Sequence, residues 1–148
     1  MSRPATSLLV VDTNVIVHYH RHNATGVLIE ERFSFSTRPE RPILSTIVEG
    51  EMRGLARKWN WGNGKLEALE SLFTKFVRLD PGAPEIVKAY AELYCMAHDN
   101  CDPCGENDLW IAATALAVGA ALLTCDKDFL WLDPEPLVVH YIEQVSAT

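Results

Sequence analysis

The chain has 148 residues, 48% of them hydrophobic and 22% charged, and its net charge is −7. That suits one domain with its own core, read here over 1–148, and the acidity argues against a protein that coats DNA, which would be basic. The longest apolar run, around 111–123, is too short and too alanine-rich to span a bilayer, and "MSRPATS" lacks the apolar core of a signal peptide, so the expectation is a cytoplasmic protein with no membrane partner.

In chain order, "LLVV" (8–11) reads as a short buried strand, and the apolar segment 13–21 as the helix it leads into. Residues 23–42 are polar and irregular, with Pro39 and Pro42; they have room for a short helix around "GVLIEERF" and then a loop. "ILS" (43–45) is a second strand, 46–58 a helix, and "WNWGNG" (59–64) its break. "KLEALESLFTKF" (65–76) sets Leu66, Leu69, Leu72, Phe73 and Phe76 at helical spacing, and "VRL" (77–79) is a third strand. After the turn "DPGAP" (80–84), Pro84 suits the first position of a helix reaching about His98. Residues 99–107 form a loop, and Asn107 caps a helix over 108–118 that ends near Gly119. "ALLTC" (121–125) is a strand, "DKDFLWL" a turn with a short helix, and "PLVVHYI" (136–142) the last strand. Strands alternate with helices from end to end, the α/β pattern of a parallel sheet covered by helices on both faces.

Ligands of open α/β sheets bind beyond the carboxyl ends of the strands, which directs attention to the acids there. Asp12 ends the first strand, Asp126 follows "ALLTC", Asp108 lies in the first turn of its helix, and Glu51 lies about a turn and a half into the helix after "ILS". Singly, each has an ordinary explanation as a helix cap, a complement to the helix dipole or a solvated residue. Together they would repel one another at a sheet edge, and some would be forced to protonate. A divalent cation removes that conflict. Oxygen ligands favour Mg2+ or Mn2+, which bind phosphates readily, and the chemistry implied is metal-assisted phosphodiester hydrolysis.

The four segments around these acids resemble the motifs of the PIN-domain ribonucleases, and within them the VapC-type toxins of bacterial toxin–antitoxin pairs. "VVDTNVIV" is similar to a first motif in which a strand ends in Asp-Thr-Asn. "STIVEGEMRGL" resembles a second, "PCGENDLWIAATAL" a third in which Asn-Asp opens an apolar helix, and "LLTCDKDF" a fourth, Thr-x-Asp-x-Asp-Phe. They stand in the family's order across 8–129. The resemblance implies a three-layer α/β/α sandwich with a mainly parallel sheet, and a metal-dependent endoribonuclease. It places the catalytic and metal-binding set on Asp12, Glu51, Asp108 and Asp126, with Asn14, Thr124 and Asp128 supporting or orienting them. In the second motif Glu49 competes with Glu51; "EMRG" fits the family's Glu-Leu-x-x-Gly better, and Glu49 lies on a different helical face. The resemblance further implies an RNA substrate, a homodimer and a cognate antitoxin, for which the acidic balance predicts a basic segment. The helix the family carries after its first one is not evident in 23–42. A catalytically inactive PIN-fold module that binds RNA or protein is the alternative.

Other features are weaker. "RGLARKWNW" mixes Arg53, Arg57, Lys58, Trp59 and Trp61, residue types suited to phosphate contact and base stacking, and all but Trp61 are taken as the candidate RNA contacts. "RPER" (38–41) is a second basic loop. His18 and His22 share a helical face, although a basic surface patch explains "HYHRH" more simply than a metal site does. Cys101 and Cys104 form a lone CxxC without the second pair of a zinc site, so Cys95, Cys101, Cys104 and Cys125 are read as reduced thiols.

Overall fold

The computed structural model describes residues 8–100 and 104–146. Five short strands build its sheet: β1 (Leu9–Val11), β2 (Ile43–Ser45), β3 (Val77–Leu79), β4 (Ala121–Thr124) and β5 (Val139–Tyr141). Their order is β3-β2-β1-β4-β5, and every neighbouring pair is parallel. The central strands read as continuous apolar runs because both faces of such a sheet are covered; Leu9, Val10 and Val11 are all buried, as are the residues of β4. Among the described residues six α-helices connect them: α1 (Thr13–Arg21), α2 (Ala24–Phe33), α3 (Thr46–Lys58), α4 (Asn63–Phe73), α5 (Pro84–Asn100) and α6 (Glu106–Val118). The result is the α/β sandwich with a parallel sheet.

The strand order has a functional consequence. From β1 the chain steps outward to β2 and β3, and then returns to the other side of β1 for β4 and β5. The direction of winding therefore reverses between β1 and β4, and the crevice beyond their carboxyl ends is the binding position of such sheets. Asp12 directly follows β1, and Asp126 lies two residues after β4. The 3-10 turn Lys127–Leu132, pinned by the fully buried Phe129, carries Asp128 beside it.

Local expectations need correction at four places. Residues 24–33 form a full helix rather than a short piece in an irregular tract. Its first turn carries Thr25, Gly26 and Val27, which are weak in helix propensity, so the start of the helix depends on context. Asn23 caps it by accepting from Gly26 N at 2.9 Å, and α2 lies against α1. The helix before β3 spans Asn63–Phe73, not 65–76. The last helix begins at Glu106, so Asn107 is inside it and Gly105 takes the capping position. The last strand shrinks from 136–142 to Val139–Tyr141.

Gly26 explains how α2 can sit so close to α1. A methyl group built on it would collide with the backbone carbonyl of His18. Backbone cannot yield as a side chain does, so Gly26→Ala should lose about 1–3 kcal/mol of stability, read as a lower midpoint in urea at unchanged slope. The "RPER" loop is tied down as well: Arg38 donates to the carbonyls of Phe33 and Glu40, at 3.0 and 2.9 Å.

Candidate active site

Asp12, Glu51, Asp108 and Asp126, contributed by four separate elements, line one cleft of about 370 Å³ together with Thr13, Asn14 and Lys58. Asp12 is its floor, only 4% exposed. One carboxylate oxygen accepts from Thr13 N at 2.7 Å and the other from the Thr124 hydroxyl at 2.8 Å. Asp12 is therefore both the N-cap of α1 and a wall of the cleft, so the cap and site explanations hold together. Thr124 also accepts from Asp126 N at 2.9 Å, so one hydroxyl ties the two strand ends together. Asp126 in turn accepts from Asp128 N at 2.9 Å; the Asp128 side chain is exposed and is not part of the cleft wall.

Asp108 is at the third position of α6, and its carboxylate accepts from the Gly105 backbone N–H. That is half of a capping box, in which an acid at this position reaches back to the capping residue. Helix α6 is apolar on most faces, with Leu109, Ile111, Ala112, Ala113 and Ala115 buried, so it is seated rigidly and aims Asp108 from its N-terminus.

The two glutamates of α3 separate cleanly. Glu51 lines the cleft and accepts from the Thr13 hydroxyl at 2.7 Å. Glu49 lies elsewhere, accepting from Arg53 at 2.9 Å and from Arg78 at 3.1 Å. Arg53 also pairs with Glu70 and lies over the Phe73 ring, so its charge is committed away from the cleft. Lys58 lines the cleft, whereas Arg57 is exposed and outside its walls. Asn14 lines the cleft but hydrogen-bonds to none of the acids. The orienting part falls instead to Thr13, which the sequence reading took only for a helix residue. The signal was its position directly after the strand-ending acid, where a hydroxyl lies within reach of the neighbouring helix. Thr13→Val should keep the fold and lower any metal affinity or cleavage by about 10–100-fold, measured by Mn2+ titration and turnover.

Electrostatics make the cleft incomplete as a set of bare charges. Burial, opposed by the Thr124 and Thr13 hydrogen bonds and aided by Asp108 and Glu51, pushes the Asp12 carboxyl up to about 6. Burial and the charges of Asp126, Glu51 and Asp128 push Asp108 to about 6 as well. The nearby thiols move the same way, Cys104 to about 12 and Cys125 to about 11, mainly through burial. They stay protonated at neutral pH, so neither is an activated nucleophile. Among the described residues, no three His, Cys, Asp or Glu side chains are arranged to hold an ion between them. The donor set nonetheless fits a hard cation: all oxygen, anionic and spaced around an open cleft. Mg2+ commonly takes one or two carboxylates and keeps several waters. The other metal ideas find no support. His18 Nδ1 lies 2.8 Å from the Asn23 amide. Cys101 lies outside the described residues.

A parallel sheet with carboxylates gathered at its switch point defines this chain as an α/β protein with an acidic crevice beyond its strand ends. Within that class, the chain belongs to the PIN domain family, whose model matches residues 9–133. No curated protein matches it in sequence. Among solved structures it is similar to VapBC-1 of nontypeable Haemophilus influenzae, with 27% identity and a TM-score of 0.74 over 90% of this chain and 97% of that one. It is similar in fold to VapBC2 of Rickettsia felis, solved bound to a DNA fragment of its promoter, with 21% identity and a TM-score of 0.75 over 90% and 98%. It also shares its fold with VapC20 of Mycobacterium tuberculosis, described as a toxin that cleaves the sarcin–ricin loop, with 19% identity and a TM-score of 0.62 over 84% and 95%.

Proposed function

We propose that this chain is a VapC-type toxin, an endoribonuclease that hydrolyses RNA phosphodiester bonds with Mg2+ or Mn2+. The observation that carries the reading is the convergence of Asp12, Glu51, Asp108 and Asp126 on one cleft at the switch point. A divalent cation there supplies charge neutralisation and polarises the phosphoryl group. Asp12, Asp108 and Asp126 are its carboxylate ligands, with Glu51 the fourth. Thr13 and Thr124 hold Glu51 and Asp12 in place through their hydroxyls. Lys58, on the cleft wall, meets a phosphate of the strand, and Trp59 follows it outward. Among the described residues that line the cleft there is no serine or cysteine; water is the attacking group, and the products carry 5′-phosphate and 3′-hydroxyl ends.

The protein acts in the cytoplasm as a homodimer controlled by a cognate antitoxin, a partnership supported by the likeness to a VapBC assembly. Among the described residues no helix is long and apolar enough to cross a membrane. An arginine in a basic antitoxin segment pairs with the cleft carboxylates and takes the place of the cation. The test is cleavage of an RNA pool by purified protein with and without EDTA. Cleavage that survives both chelation and Asp12→Asn excludes the reading; Mn2+ binding without turnover on any RNA favours an inactive module.

A further inference from the structure

Beyond the far end of α1 from the acids, the last turn of α1 and the bend between α3 and α4 enclose a cavity of about 520 Å³. Its walls include His20, Arg21, His22, Trp59, Trp61 and Lys65, and no carboxylate. In a chain with 20 acids against 13 lysines and arginines, such a surface is unusual. Neither Arg21 nor Lys65 meets a carboxylate among the described residues.

The cavity is built around two indoles. Trp61 is fixed by the His20 ring, stacked on it at 4.5 Å and 7°, while His20 Nε2 lies 3.2 Å from the Lys65 carbonyl. Trp59 lies 6.0 Å from Trp61, with the Arg21 guanidinium 4.8 Å from its ring centre. Between them Asn60 adopts a left-handed backbone, φ 53°, which turns the chain so that both rings line one cavity. Trp59 remains 40% exposed.

Fold stability explains only part of this. A cation in the last turn of α1 complements the helix dipole, which accounts for Arg21. Lys65 is in the first turn of α4, where the dipole disfavours a cation. An exposed indole on the rim of a cationic cavity has no core to fill. Indoles flanked by cations that no carboxylate neutralises, Arg21 over Trp59 and the Lys65 ammonium 5.8 Å from the centre of Trp61, suit an unpaired nucleotide, since the exposed part of Trp59 can stack on any base and the cations serve the phosphate.

The cavity is also in line with the acid cleft. Asn14 lines the cleft and His20 the cavity; they are six positions apart along the helix, a rise of about 9 Å. On α3 the junction is closer still, because Lys58 lines the cleft and Trp59 the cavity. Resting on the ribonuclease reading above, we propose that this cavity binds one unpaired nucleotide of the substrate strand outside the scissile position. Its base stacks on Trp59, and its phosphate meets Arg21 and Lys65.

The probe is a short 5′-fluorescein-labelled single-stranded RNA, titrated with the full chain in EDTA so that binding is read without cleavage. Trp59→Ala should weaken binding roughly tenfold, and Trp59→Phe should restore most of it. Lys65→Ala should reduce the salt dependence of log K by about 0.7. Variants that bind this RNA as the wild type does, or that lose the antitoxin and not the RNA, overturn the proposal. Cavity-dependent binding by a chain that cleaves no RNA would sustain it while the ribonuclease reading falls. Cleavage with unaltered binding by the variants would do the reverse.

Discussion

Asp12→Asn should abolish RNA cleavage, by more than about 100-fold, in a protein that remains folded and, without divalent cations above pH 6, melts higher than the wild type. The loss should exceed that from removing a residue that merely orients a ligand, which is about 10–100-fold, because Asp12 is the acid at the floor of the cleft, bonded to both Thr13 and Thr124. The substitution is conservative for packing. The asparagine carbonyl still accepts from Thr13 N, and its amide donates to the Thr124 hydroxyl, which has acceptor capacity beyond the Asp126 N–H it already takes. What disappears is a charge held in a site only 4% exposed. Cleavage assays and thermal melts of one preparation read both effects. A variant that cleaves normally would remove Asp12 from the catalytic set, and one that melts lower at pH 7.5 in EDTA would contradict the electrostatic account.

The second large effect is the pH dependence of stability and its suppression by metal. In the unfolded chain Asp12 titrates near 3.8; in the folded protein it titrates at about 6. Between those values the folded state holds a proton that the unfolded state has released. Stability therefore falls as pH rises from about 4 to about 6, and the cost is complete above that. A displacement of about two pKa units corresponds to about 3 kcal/mol, and Asp108 moves in the same direction with more solvent screening. At about 2–4 °C per kcal/mol for a chain of this size, the melting temperature in EDTA should drop by roughly 5–10 °C between pH 4.5 and 7.5. Excess Mn2+ should recover most of that at pH 7.5, since a ligand bound only by the folded state stabilises it by mass action. A flat profile in EDTA, or a melt at pH 7.5 indifferent to Mn2+, would count against the cleft as a cation site.

These effects depend on residues whose roles became visible at different levels. The acid after "LLVV", the Asn-Asp opening of an apolar helix and the Thr-x-Asp-x-Asp-Phe segment are local patterns. Strand, turn and helix signals lie within a few residues of each acid, so the sequence alone was enough for the alternating α/β order and for the four candidate acids. Helix α2 was less legible, because Thr25, Gly26 and Val27 weaken its first turn and its start is set by the Asn23 cap and the approach of Gly26 to the α1 backbone.

Which side chains meet was a tertiary matter. Glu49 and Glu51 are two residues apart and chemically alike; only the position of Arg53 and Arg78 on one side of α3 and Thr13 on the other separates their surroundings. Thr13 carried only one local signal, its place directly after the strand-ending acid; its partner is 38 residues away. Likewise "HYHRH" and "WNW" form one cavity only because α1 and the α3–α4 bend fold together. Sequence by itself determined the element order, the acids at the strand ends and the preference for Glu51 over Glu49, because those follow from propensity, periodicity and motif over a few residues. The tertiary structure alone decided which hydroxyls hold the acids and where the cationic indole cavity lies, because hydrogen bonds and charges act across space between residues the chain keeps far apart.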